Sequence, residues 1–311
     1  MAFDVTALSA YIEDRDFPLV ARLQFDPELK ASRSTIQDGI KGSSNLHFME
    51  TDVVFQEDSC SRSASGTTTF TDKTLTVGKV AIAEDLCTDD LINKWTQITL
   101  RQGVMEGRQV LPEEIASIYM EEKMVKYKQA LAVADWQGNT ASGVAATERY
   151  DGWIKLIDAG SPINGNTAGV TVATGVDASN ILDILDAMYL ARPANARGRA
   201  DVCIDMPQEW YDFYVVALKN ANLFHYTSSE GETKLYGTNI GIKADYGLNG
   251  TDRMFMSYDS NYVVGVDAEN DGEFSMRVDP VTLKKILVDA NFKRGCQVQF
   301  TEDVVEFTLV P

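Results

Sequence analysis

The sequence predicts an α+β fold, because helical patterns gather in the early and middle chain while strand patterns fill both ends. Three observations carry that expectation. Residues 46–82 alternate apolar with polar side chains around one soft interruption, the period of paired strands. A helical pattern of about 25 residues opens at Pro112 and stops at Trp136-Gln137-Gly138. From residue 238 onward, short β-branched and aromatic runs succeed one another between turn residues.

Taken in order, residues 1–45 mix Asp, Pro, Ser and Gly with short apolar pieces, and residues 31–44 are expected to form an extended arm ordered by a partner surface. Residues 46–55 and 67–82 are expected to form a long hairpin whose tip, QEDSCSRSASG, is small and polar. Thr88 is placed to cap a helix through Asp89, Asp90, Leu91, Ile92 and Trp95. The long helix follows, with Glu113 and Glu114 in its first turn and an apolar stripe of Ile115, Ile118, Tyr119, Met124, Val125 and Leu131.

Asp177 is expected to cap a helix carrying Ile181, Ile184, Leu185 and Met188 that ends before Pro193. A strand at residues 201–205 leads to Pro207, which opens a helix with Trp210, Phe213, Tyr214, Ala217 and Ala221 on one face. Strands are then expected near 238–246, 253–257, 262–266, 274–278, 283–292, 296–300 and 304–309.

Composition narrows the function. A chain of 311 residues with 44% hydrophobic content can bury a large core. Its formal charge of −18 repels nucleic-acid phosphate, so a basic-groove DNA or RNA reader is not expected; the densest basic pairs, Lys284-Lys285 and Lys293-Arg294, read as solvated strand ends. Neither a signal peptide nor a membrane span is expected from the apolar runs. Cys60, Cys87, Cys203 and Cys296 are dispersed and form no CxxC, which favours buried, reduced thiols. Histidine occurs only at 47 and 225, which removes most metal and acid–base constellations; His225, amid LFHY, reads as an aromatic packing position.

Two loops resemble ligand motifs and fail on their own chemistry. VDAENDGEF, residues 266–274, spaces Asp267, Glu269 and Asp271 like an EF-hand with Gly272 sixth, but its twelfth position is Val278 and its flanks have strand period. Asn270-Asp271-Gly272 is therefore expected to be a hairpin turn. GSPINGNTAGVTVATG, residues 160–175, lacks the Gly-Lys-Ser/Thr ending of a phosphate loop. No catalytic, cofactor-binding or metal residue is assigned.

The element order resembles the Hong Kong 97 fold of tailed-bacteriophage major capsid proteins, shared by encapsulin shells. The resemblance rests on FTDKTLTVGKVAIAEDLCTDDL (70–91), YDGWIKLI (150–157), IDMPQEWYDFYVVAL (204–218), and LYGTNIGIKADYGLNG (235–250) leading into RMFMSYDSNYVVGVD (253–267). It implies an N-terminal arm (1–45), an extended loop (46–84), a peripheral domain with a spine helix (85–164), an axial domain (165–280) and return strands to the peripheral domain (281–311). It further implies a non-enzymatic protein without cofactors that self-assembles from pentamers and hexamers into an icosahedral shell around phage double-stranded DNA. Such a subunit is made in the bacterial host cytoplasm, resides in the virion, contacts its DNA without sequence specificity, and works with a portal. The long, charged, helical N-terminal segment that serves some relatives as a built-in scaffold is missing, so a separate scaffolding protein, or none, is expected. An encapsulin-like shell around a protein cargo is the alternative. A hydrolase using a hidden carboxylate pair stands third.

Overall fold

The computed structural model describes residues 28–56, 65–87, 113–222, 233–267, 275–278 and 285–310. The expectations for the arm before residue 28, the hairpin tip at 57–64 with Cys60, the helix after Thr88, His225, the NDG turn and Lys284 lie outside these residues, as do the side chains of Cys87 and Lys285.

A short 3-10 turn at Lys30–Ser32 leads into β1 (Thr35–Gln37), then β2 (Ser43–Thr51), β3 (Thr68–Thr76) and β4 (Gly78–Cys87). Helix α1 (Glu113–Gln137) is followed by α2 (Trp153–Asp158), β5 (Ile163–Asn164) and α3 (Ile181–Leu190). β6 (Val202–Met206) and α4 (Gln208–Asn220) precede β7 (Thr233–Lys234), β8 (Gly241–Ala244), β9 (Arg253–Tyr258), β10 (Tyr262–Val266), β11 (Ser275–Val278), β12 (Lys285–Val298) and β13 (Val305–Thr308).

Among the described residues these strands make three sheets. The first is organised on β12, with β4 along one edge and β11 and β10 sharing the other, β1 lying outside β10. The second runs β5-β13-β9-β6-β8-β7, and β2 with β3 form the third.

The six-stranded sheet is covered on both faces. Ile204, Met206, Met254, Met256, Val305 and Phe307 face α3 and α4, whose Ile184, Leu185, Met188, Trp210 and Tyr214 complete the larger core. The opposite face presents Phe255, which stacks on Trp136 at 5.3 Å within an aromatic group containing Trp153 and Tyr262. Burial on both faces explains why β6, VCIDM, is continuous instead of alternating. Helix α1 docks through its last turns, where Gln129, Leu131, Ala132, Asp135 and Trp136 are buried, and earlier through Tyr127 against Phe292 and Lys123 against Glu84. Its end is met by the turn at Tyr246–Leu248, so closely that a Cβ on Gly247 would lie 2.1 Å from the Ala132 carbonyl oxygen.

Several expectations hold in detail. The long helix spans Glu113–Gln137, and Pro207 stands at the N-cap of α4 with φ −57°. Asp177, expected to cap α3, instead organises the turn before it, where its Oδ1 accepts from the backbone N–H of Ser179 at 2.8 Å and of Asn180 at 3.1 Å; the N-cap itself is Asn180. Cys203 and Cys296 are buried and unbonded to other cysteines.

Others are corrected. The arm at 31–44 is not waiting for a partner: Lys30 is buried against Asp205 and Asp259, and Thr35–Gln37 pairs in parallel with Val263–Gly265 of β10. β10 and β11 do not form a hairpin with one another. Both run antiparallel to β12, at opposite ends of it. The two strands expected at 283–292 and 296–300 are one strand of 14 residues, and Arg294, expected at a solvated end, is buried inside it against Asp135. Of the expected apolar stripe of α1, Leu131 is buried and Val125 half-buried while Met124 is exposed; the side chains of Ile115, Ile118 and Tyr119 lie outside the described residues. Tyr262–Val266 belongs with β12, while Val305–Thr308 joins the six-stranded sheet beside β9.

Candidate functional site

The feature that invites a partner is the β2–β3 hairpin. Its nine register pairs run from Ser43↔Thr76 at the base to Thr51↔Thr68, a reach of about 30 Å at roughly 3.4 Å per residue. The two faces differ because side chains alternate. Toward the body, Leu46 packs with Ile40, Leu75, Val77 and Val263, and Phe48 meets Phe300 edge-on at 5.2 Å. Polar tethers secure the same face, as Lys73 Nζ donates to the Val298 carbonyl and Gln297 Nε2 to the Thr74 carbonyl. The base is therefore fixed to the end of β12.

The outer face is a ladder of cross-strand pairs: Thr74 with Asn45 at 3.1 Å, His47 with Asp72 at 2.6 Å, Met49 opposite Phe70, and Thr51 with Thr68 at 2.9 Å. Among the described residues nothing covers it. Met49 and Phe70 are 62% and 74% exposed, and beyond the ladder Val53 and Phe55 reach 73% and 96%. An apolar cluster at the end of a two-stranded ribbon has no core of its own, and such ribbons are marginal alone in water. Sequence reasoning placed the hairpin but undervalued the apolar run that leads into its tip; Val53-Val54-Phe55, which breaks the strand alternation, was the available signal.

Candidate chemical sites are weaker. Among the described residues no three His, Cys, Asp or Glu side chains are grouped to hold a metal ion, and no helix is long and apolar enough to cross a membrane. A groove of about 250 Å³ is lined by Gln137, Lys155, Asp158, Thr251 and Arg253, but Asp158 is engaged by Arg253 at 2.6 Å. The buried carboxylates Asp135, Asp205 and Glu306 each face a cation of this chain. Burial pushes the Cys203 thiol up to about 12, a rise reinforced by the Asp205 charge, which makes it a poor nucleophile.

Asp245 is different. Its Oδ1 accepts from the Gly247 N–H at 2.9 Å, but Oδ2 is buried without a hydrogen-bond partner. Burial, with the Asp205 charge adding to it, pushes its carboxyl from 3.8 up to about 6. Below 3.8 the group is neutral in folded and unfolded chains alike. Between 3.8 and about 6 the unfolded chain ionises first, so stability is lost as pH rises through that window. Asp245→Asn keeps the acceptor for Gly247 and removes the charge. It is expected to stabilise the protein by about 1–3 kcal/mol at pH 8, at 1.36 kcal/mol per pKa unit, with no advantage below about pH 4. Urea midpoints at the two pH values check this.

No family model matches the chain, and no curated protein does. Solved structures do. The capsid of an empty GTA particle aligns over 100% of both chains with a TM-score of 0.56 at 13% identity. The capsid of Myoviridae phage XM1 aligns over 95% of this chain and 98% of its own, with a TM-score of 0.57 at 15% identity. Mycobacterium phage Bobi covers 99% and 100%, with a TM-score of 0.57 at 10% identity. This chain thus shares, across nearly its whole length, the fold of phage capsid proteins.

Proposed function

We propose that the chain is a major capsid protein of Hong Kong 97 type, whose copies associate as pentamers and hexamers into an icosahedral head enclosing phage double-stranded DNA. The observation that carries this reading is the hairpin: a ribbon fixed at its base and apolar at its free end is suited to reach over a neighbouring copy, and symmetric shells supply that neighbour. The shared capsid fold supports it. On this assignment α1 is the spine helix and, with the sheet on β12, makes the peripheral domain. The six-stranded sheet with α3 and α4 makes the axial domain, so that segments 165–280 and 281–311 contribute to both.

The mechanism is polyvalent association of complementary surfaces, not catalysis. A chain with formal charge −18 also suits a container wall, because packaged polymer is repelled from it and not trapped on it. A portal and a separate scaffolding protein are the proposed partners; one solved neighbour is a P4 procapsid that includes a size determination protein. Electron microscopy of the expressed chain, alone and with a candidate scaffold, tests the reading: closed shells are expected, and a monomer under both conditions overturns it. Nucleic acid extracted from particles purified from infected cells separates a DNA head from a shell around protein cargo.

A further inference from the structure

The segment between Lys30 and the hairpin touches every part of the molecule that the hairpin must be held against. Lys30 Nζ lies 2.6 Å from Asp205 Oδ2 on β6 and 2.5 Å from Asp259 Oδ1 after β9, and 4.5 Å from the centre of the Tyr262 ring. Arg33 closes the cluster, 3.0 Å from Asp205 and 3.2 Å from Asp259. Six and seven residues on, Gly39 and Ile40 donate their backbone N–H groups to the carbonyls of Asp267 and Val266. Ile40 is 4% exposed and packs with Leu75, Val77 and the hairpin's Leu46. Between these anchors, β1 holds the sheet edge by only three residues.

We propose that residues 28–40 form a strap that sets the direction of the β2–β3 hairpin, with Lys30 as its positioning residue, anchored in the six-stranded sheet. Three edge residues are too few to resist peeling alone, so the hold comes from the two ends. One end is Ile40, at the hairpin's own base. The other is Lys30, buried between carboxylates that, among the described residues, are otherwise met only by the cation of Arg33. Releasing Lys30 frees the strap and leaves the hairpin's direction to its contacts with Phe300, Val298 and Gln297 alone, which widens its range without unfolding either sheet. A hairpin of variable direction meets its neighbour at variable angle, which in a closed shell changes curvature. The inference rests on the shell reading for that last step only.

The test is the Lys30→Met/Asp205→Asn double variant, which avoids stranding a buried charge, beside wild type and Lys30→Met alone. Hydrogen exchange in the unassembled chain is expected to quicken about tenfold or more over residues 28–40, and to a lesser degree over 43–51. Residues 202–206 and α4 should keep wild-type protection. In electron micrographs the double variant should give a broader spread of particle diameters than wild type. Unchanged exchange over 28–40 in the double variant overturns the proposal. So does an equal rise across all segments, which would make Lys30 a contributor to global stability and not a positioning residue. If wild type assembles under no condition, the shell reading falls while the exchange contrast still decides whether the strap exists.

Discussion

Replacing residues 52–67 with Asn-Gly is expected to reduce the yield of closed particles by about tenfold or more while the subunit remains folded. The join is sterically sound, because Thr51 and Thr68 are register partners and a two-residue Asn-Gly loop suits an antiparallel pair. What holds the hairpin to its own chain is retained: Leu46 and Leu75 in their cluster, Phe48 against Phe300, and the two tethers to the end of β12. What is lost is Val53, Val54 and Phe55, all exposed in the single chain. Burying each on a neighbour contributes roughly 1.5–3 kcal/mol, and every 1.4 kcal/mol is a factor of ten in association. A shell repeats that loss at each contact, so the effect on yield exceeds that on a single pair. Phe55→Ser/Phe70→Ser separates chemistry from length, since it leaves the ribbon intact and should lower yield in the same direction. Sedimentation reports assembly, and circular dichroism reports folding. Normal yield from the shortened chain would mean that the hairpin tip holds no neighbour; a shortened chain that unfolds would mean that it belongs to the subunit's own core.

The hairpin, the long helix and the strand–helix pair at β6 and α4 were legible in the sequence because each is decided locally. Alternation set Leu46 and Phe48 on one side and His47 and Met49 on the other, and Pro207 and Gly138 marked where helices begin and end. The misreadings share one cause, a partner far away in the chain. The arm at 31–44 reads as unsupported until Asp205 and Asp259, 175 and 229 positions beyond Lys30, are placed around that residue at its start. Lys293-Arg294-Gly295 looks like a break between strands, yet Lys293 reaches Asp267 and Arg294 finds Asp135 from within one continuous strand. Asn270-Asp271-Gly272 has good turn chemistry, but turn chemistry cannot report that both flanking strands choose β12 over each other. The shared capsid fold was legible as element order and as patterned stretches such as residues 70–91 and 204–218, while identity with the solved structures is only 13–15%.

The largest loss of subunit stability is expected from Arg294→Met. Arg294 makes a two-pronged contact with Asp135, Nε to Oδ1 at 2.7 Å and one terminal nitrogen to Oδ2 at 2.6 Å, and Tyr150 donates its hydroxyl to Oδ1 at 2.7 Å. Burial alone would lower the Arg294 pKa; the Asp135 charge and its hydrogen bonds more than offset that, so the guanidinium stays charged. Burial, joined by the same carboxylate, holds the Tyr150 phenol well above its ordinary value, so it remains a donor at any working pH. The contact joins the last turns of α1 to the middle of β12 and thereby fixes the long helix to its sheet. Removing the cation leaves a carboxylate that is 1% exposed facing only a hydroxyl and a thiol, and breaking a buried pair this way costs about 3–5 kcal/mol. That is a large part of a typical stability of roughly 5–15 kcal/mol. The triple variant Asp135→Leu/Arg294→Met/Tyr150→Phe removes the charge, its partner and the donor together. It should recover most of the loss, because replacing a whole buried pair by apolar groups is often near neutral. Urea unfolding followed by tryptophan fluorescence is the measurement, since Trp136 adjoins Asp135 in α1. A triple variant no more stable than Arg294→Met would show that the cost lies in packing around residue 294, and not in an unpaired charge.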